Sequence, residues 1–203
     1  MECDTRHPQG LPRVGALDTT LDACLVRHWP RLCAIVWHRG GAELLEHFLP
    51  EDLAQDVAIR ALEQRPGFTY QGEQAFVRWI ATLARRVVMD SARLLASRPP
   101  CLSIKRSIDG GTTTVPPSWI PGSERSPADL ADLNEEVHRV LKALATLSEK
   151  DRAALVCVRF EYRSIAEAAE ELGCSHQAVV QRLRHGMACL WRALDPRATQ
   201  ERT

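Results

Sequence analysis

Between Leu21 and Val87 apolar residues recur at intervals of three and four, and almost nowhere in the chain do apolar and polar residues alternate. Leu21, Leu25, Trp29, Leu32, Ile35 and Val36 form one stripe; Leu53, Val57 and Leu62 form a second; Phe76, Trp79, Ile80, Leu83 and Val87 form a third. This spacing gives a helix one apolar face, whereas a half-buried strand needs a period of two. The same period returns with Leu130, Leu133, Val137, Val140, Leu141 and Leu144. The chain therefore reads as all-α. Its 203 residues allow two small domains or one medium domain.

Stop and start signals divide the pattern. Pro50 followed by Glu51 and Asp52 opens a helix, because acidic side chains suit the positive end of the helix dipole. The run Arg65-Pro66-Gly67-Phe68 closes it. Residues 98–127 are dominated by Pro, Gly, Ser and Thr and keep no helical stripe, so they read as a flexible linker, with Trp119 and Ile120 apolar enough to dock. Ser148 with Asp151 starts a helix expected to run through Phe160, and Ser164 with Glu167 starts another that ends at Gly173. Ser175 caps a final helix to about Leu194, which Pro196 halts. The expected organisation is a tail over 1–18, a helical domain over 19–98, a linker over 99–127, a second helical domain over 128–197 and a tail over 198–203.

Composition narrows the function classes. A hydrophobic content of 45% argues against wholesale disorder, and a net charge of zero confines any nucleic-acid surface to local patches. No apolar run approaches the roughly 20 residues that span a bilayer. The first residues, with acids and prolines, do not resemble a signal peptide, so a cytoplasmic protein with no membrane contact is expected. Seven scattered cysteines without a Cys-x-x-Cys pair read mostly as small buried thiols, and Cys3 with His7 or Cys174 with His176 falls short of a four-ligand metal site. There is no glycine-rich phosphate loop, no G-x-S-x-G and no His-carboxylate set at metal spacing. His28, His38 and His47 stand isolated on helical patterns. No enzyme, cofactor or metal is expected.

Residues 165–184, "IAEAAEELGCSHQAVVQRLR", have the layout of two helices joined by a tight turn. Ala169 suits the crossing, Gly173 suits the left-handed turn and Val179 suits the inward face of the second helix. An αα-hairpin with a glycine cap has the same layout. Charge favours DNA: Arg182, Arg184, Arg192, Arg197 and Arg202 face only Asp195 and Glu201 in the last segment. The groove-facing set would be His176, Gln177, Gln181, Arg182 and Arg184, with His185 nearer the backbone. Gly186 inside this helix costs about 1 kcal/mol relative to Ala, and the sequence offers no reason for it.

Charge changes sign along the stretch from Leu49 to Arg93. Glu51, Asp52, Asp56 and Glu63 surround Arg60 in the first half, while Arg78, Arg85, Arg86 and Arg93 surround Asp90 in the second. An acidic helix suits a basic protein surface. A basic helix next to Phe68, Tyr70, Phe76 and Trp79 suits unstacked bases and phosphates. Phe76 and Trp79, three apart, equally suit a core, whereas Tyr70 and Gln71 lie in a polar loop.

"PEDLAQDVAIRAL" followed by "WIATLARRVVMD" resembles conserved region two of bacterial sigma factors of the extracytoplasmic-function group, in the sigma-70 family. "ALATLSEKDRAALVCVRFEYRSIAEAAEELGCSHQAVVQRLRHGMACLWRAL" resembles their region four. The resemblance spans roughly residues 20–195 and implies a transcription initiation factor whose partners are core RNA polymerase and promoter DNA, with an anti-sigma factor as a further candidate. It implies that Asp52, Gln55, Asp56 and Arg60 dock on the clamp of the largest polymerase subunit. Tyr70, Gln71 and Gln74, with the arginine face of Arg78, Arg85, Arg86 and Arg93, would melt the minus-ten element, and the helix from His176 would read the minus-thirty-five element. The chain departs from the family pattern at Arg86, Leu94, Leu95 and Val180, and in a longer connection over Gly40 to Pro50. The rival reading is a helix-turn-helix regulator that binds duplex DNA without polymerase, which leaves the acidic helix without a role.

Overall fold

A computed structural model describes residues 20–97 and 127–194, and every regular element among them is helical. The expected linker and both expected tails lie almost wholly outside the described residues.

Four helices make the first unit: α1 (Leu21–Arg27), α2 (Trp29–Leu45), α3 (Pro50–Glu63) and α4 (Glu73–Ser97). Thr20 caps α1, its hydroxyl accepting from the Ala23 amide at 3.4 Å. In α2 the apolar stripe of Trp29, Leu32, Ile35 and Val36 is buried against α3 and α4. The connection that looked long in sequence begins inside α2, where Gly41 takes a left-handed φ of 67° and breaks the helical line. A side chain there would be strained, so glycine is required. Leu53 and Val57 of α3 and Phe76, Val77, Ile80 and Val87 of α4 complete the core. Fully burying such a side chain stabilises by roughly 1.5–3 kcal/mol, so this core supplies most of what holds the unit together.

The second unit comprises α5 (Pro127–Ala145), α6 (Glu149–Leu155), α7 (Ile165–Glu171) and α8 (His176–Leu194). Ser148 caps α6, accepting from the Asp151 amide at 3.3 Å. The chain stays helical to Phe160, but residues Val156–Phe160 widen into a π turn rather than continuing α6. Gly186 now has a reason. It is buried where α8 crosses α6, and a β-carbon there would meet the Asp151 carbonyl at 3.3 Å and Leu155 at 3.5 Å. Glycine permits the close crossing.

The two units lie against each other. Leu133 and Val137 of α5 and Val156 enter the core of the first unit. Ala34 and Trp37 of α2 join Leu144, Leu155, Leu183 and Met187 of the second.

Candidate protein and nucleic-acid surfaces

Leu53, Ala54, Val57, Ala58 and Ala61 take the inward positions of α3, which leaves Asp52, Asp56 and Glu63 on its outer side, whereas Glu51 at its first turn is buried. Asp56 and Ile59 are exposed, and Asp52, Gln55 and Arg60 are half-buried. Although its side chain is exposed, desolvation by the neighbouring helix atoms raises the Asp56 carboxyl; nearby Arg60 opposes this and Asp52 adds to it. Arg60 is also tied to α4, donating to Asp90 at 2.8 Å. The face is acidic with an apolar centre.

Between α3 and α4 lies a cavity of about 650 Å³, within the range of roughly 300–1,000 Å³ typical of ligand clefts. Phe68, Phe76 and Trp79 wall it, and Gln64, Thr69 and Gln71 supply polar groups. The rings form a cluster, with centroids 5.6 Å apart for Phe68 and Trp79 and 5.9 Å apart for Phe76 and Trp79. Phe76 is buried, as the spacing of three suggested, yet it lines the cavity as well. Gly72, at φ 100°, turns the chain into α4. Of the loop residues singled out in sequence, Gln71 reaches the cavity and is exposed, Gln74 is exposed on α4, and Tyr70 packs against the edge of the core. Gln64 and Thr69 were not distinguishable in sequence, because an isolated polar loop residue carries no period.

The four arginines of α4 have different surroundings. Arg86 is exposed. Arg93 is 70% exposed and donates to Asp90 at 3.3 Å. The Asp90 carboxyl is held low by its bond from Arg60, with Arg93 contributing. Arg78 and Arg85 reach the second unit instead: Arg78 donates to Glu167 at 2.5 Å and Arg85 to Glu161 at 2.6 Å.

The helix pair α7–α8 forms as its sequence signals indicate. Ser164 and Glu167 make a reciprocal capping box, with bonds of 3.1 and 2.7 Å. The guanidinium of Arg78, with the Ser164 amide, pulls the Glu167 carboxyl down to about 2. Gly173 reverses the chain at φ 57°, and the Cys174 amide donates to the Ala169 carbonyl at 3.0 Å. Ala169 and Val179 are buried together with Ala154, Cys157 and Ala168. Ser175 caps α8 through the Ala178 amide at 3.2 Å. His176, Gln177, Gln181, Arg184 and His185 are exposed along α8. Arg182 is half-buried beside the Cys174 sulfur at 3.3 Å, and the His185 Nδ1 lies 2.8 Å from the Asp151 carboxylate.

Among the described residues no group of three or more His, Cys, Asp and Glu side chains could hold a metal, and no helix is long and apolar enough to cross a membrane. Burial pushes the Cys157 thiol up to about 12, which makes it a weak nucleophile at neutral pH.

Residues 25–98 match the family described as Sigma-70 region 2, and residues 138–190 match the family described as Sigma-70, region 4. No curated protein matches the chain.

Proposed function

The chain belongs to the sigma-70 family, in its extracytoplasmic-function group, whose members are non-enzymatic factors for promoter-specific transcription initiation; from that premise we propose how its surfaces divide the work. The acidic face of α3, with Asp52, Gln55, Asp56 and Arg60 around Ile59, docks on the clamp of core RNA polymerase. The cavity beneath Gln71 receives a base leaving the stack as the minus-ten element melts. The arginines of α4 hold the separated strand through its phosphates. The exposed row of α8 from His176 to His185 reads the minus-thirty-five duplex. Region two then spans 19–98 and region four 128–197. An anti-sigma factor is a candidate further partner for either region.

The observation that carries this reading is the aromatic-walled cavity at the base of a basic helix whose neighbour presents acids on another face. Extruding a base costs a few kcal/mol, and stacking between aromatic side chains returns it. A duplex-only regulator has no use for such a cavity.

Two experiments test the two halves. Asp52→Lys with Asp56→Lys should weaken polymerase binding about tenfold or more, because like charges then meet at a desolvated contact. Unchanged affinity in a competition assay, with circular dichroism unchanged, would remove α3 from the interface. Tyr70→Ala with Gln71→Ala should leave closed complexes nearly intact but reduce permanganate reactivity of the minus-ten bases on linear duplex. A template already mismatched there should recover much of the transcription. Equal melting by variant and wild type would make the loop a connector only.

A further inference from the structure

Where α8 crosses α6, a thiol, an imidazole and a carboxylate stand in line. His185 and Cys189 lie one turn apart on the same side of α8, and the Cys189 sulfur is 3.7 Å from the His185 Nε2. The other ring nitrogen, Nδ1, is 2.8 Å from the Asp151 carboxylate of α6. The Ser148 hydroxyl donates to the same carboxylate oxygen at 2.7 Å. Burial works to raise the Asp151 carboxyl, but the bonds from Ser148 and His185 outweigh it and hold the group below its ordinary value. Asp151 therefore accepts, Nδ1 carries the donated hydrogen, and the Nε2 lone pair faces the thiol. Gly186 makes the arrangement possible, because a β-carbon there would meet the Asp151 carbonyl and hold α8 off. The other described cysteines are placed differently. Cys24 and Cys33 are buried, and Cys157, at the seam between the two units, is buried with Arg39 and Glu171 at 3.6 and 3.8 Å from its sulfur. Cys174 is half-buried beside Arg182, whose guanidinium cannot take a proton.

We propose that Cys189 is a thiol-exchange site for small anionic disulfides, with His185 as its base and Asp151 as the residue that positions the base. A nucleophile, its base and a third group that orients the base are the parts such chemistry needs. Nε2 takes the thiol proton, and the imidazolium, held by Asp151, stays beside the thiolate as it attacks. A new S–S bond forms to one half of the disulfide and the old S–S bond breaks; the departing thiolate recovers the proton from His185. The Cys189 sulfur is oxidised as the leaving sulfur is reduced, so the disulfide is the only oxidant required. Cys189 is half-buried and the His185 side chain is 68% exposed, so a small molecule reaches the sulfur from the His185 side. Arg192, exposed and three positions further along α8, supplies positive charge that favours an anion. The consequence for DNA rests on the reading of α8 as the duplex-reading helix. An adduct on Cys189 puts negative charge one turn from His185, where that reading places the phosphate backbone, and weakens duplex binding.

Cys3 and Cys101 lie outside the described residues, so the test uses the full chain carrying Cys3→Ser, Cys101→Ser and Cys174→Ser. The probe is dithiobis(nitrobenzoate), a dianionic disulfide whose departing thiolate is coloured. Mass mapping of peptides should place the first adduct on Cys189. His185→Ala should slow that reaction about fivefold or more. Alanine also uncovers the sulfur, so a slower reaction cannot come from lost access. Asp151→Asn should slow it too, yet add nothing once His185→Ala is in place, because Asp151 acts through the imidazole; a merely structural role would add its own effect. Arg192→Ala should slow the dianion about twofold and leave cystamine, a dication, no slower. Equal rates with and without His185, or a first adduct on another cysteine, would overturn the site. The adduct is then titrated against a labelled mixed-sequence duplex of about 30 base pairs at about 50 mM salt. Binding should weaken about threefold or more, recover with dithiothreitol, and stay unchanged when Cys189→Ser is given the same treatment. An adduct on Cys189 with undiminished duplex binding would overturn the coupling to DNA. The underlying reading fails differently: duplex binding by the unmodified chain that ignores Gln181→Ala and Arg184→Ala would remove α8 as the reader, whatever the exchange rates.

Discussion

Region two positions its surfaces with one large core, while region four positions its helix pair with short-range devices and a close crossing. Trp29, Leu32, Ile35, Leu53 and Ile80, from three helices, meet in the first. The second divides into small clusters, and α7 and α8 are set by the Ser164–Glu167 capping box, the left turn at Gly173 and the bare backbone of Gly186. A surface carried by a core tolerates change at its rim and fails when the core does. One carried by caps and glycines fails at single backbone positions.

The largest expected effect tests the first half of that contrast. Trp29→Ala, at a fully buried site, should cost about 3–5 kcal/mol and lower the denaturation midpoint of region two. A loss below about 1 kcal/mol would mean that the first core is not the unit's main support. The next effect belongs to the seam. Burial first, then the Arg39 guanidinium, lowers the His38 pKa from 6.5 to about 4, with Arg152 of region four contributing. The unfolded chain takes up the proton first, so stability present above pH 6.5 is lost as pH falls toward about 4. The loss from this residue alone amounts to roughly 3 kcal/mol. His28, also lowered by burial, adds to the same trend. In a urea series, His38→Leu should flatten the slope between about pH 6.5 and 5, above the range where most carboxylates titrate. An unchanged slope would place His38 in water and loosen the seam. The smallest effect tests the second half of the contrast. Gly186→Val should cost about 1–3 kcal/mol by overpacking against the Asp151 carbonyl, and should weaken duplex binding while leaving polymerase binding in place. A neutral outcome would show that α8 can shift off α6 without penalty.

Much of this was legible because the signals act over a few residues. Helical period, proline and serine starts and the Ala169, Gly173 and Val179 offsets all act within two turns of the chain, and each helix they indicate is present. The outward placing of Asp52, Asp56 and Glu63 followed equally from the period of α3, while Glu51, read with them in sequence, is buried. The cavity was half legible: its aromatic walls stood out, but Gln64 and Thr69 join it only because α3 and α4 converge there. Gly186 stayed opaque, since the atoms that demand it belong to α6, 35 positions away at Asp151.

The sequence by itself determined the helices, their caps, the helix-turn-helix and the opposite charges of α3 and α4, because each depends on neighbours within a few residues. The partners of Arg78 and Arg85 were decided only by tertiary structure. Their carboxylates lie 76 to 89 residues further along the chain, and no local period relates them. A charge on a helix face shows that it will seek an opposite charge; only the packed chain shows whether that is a phosphate, a polymerase side chain or its own second half.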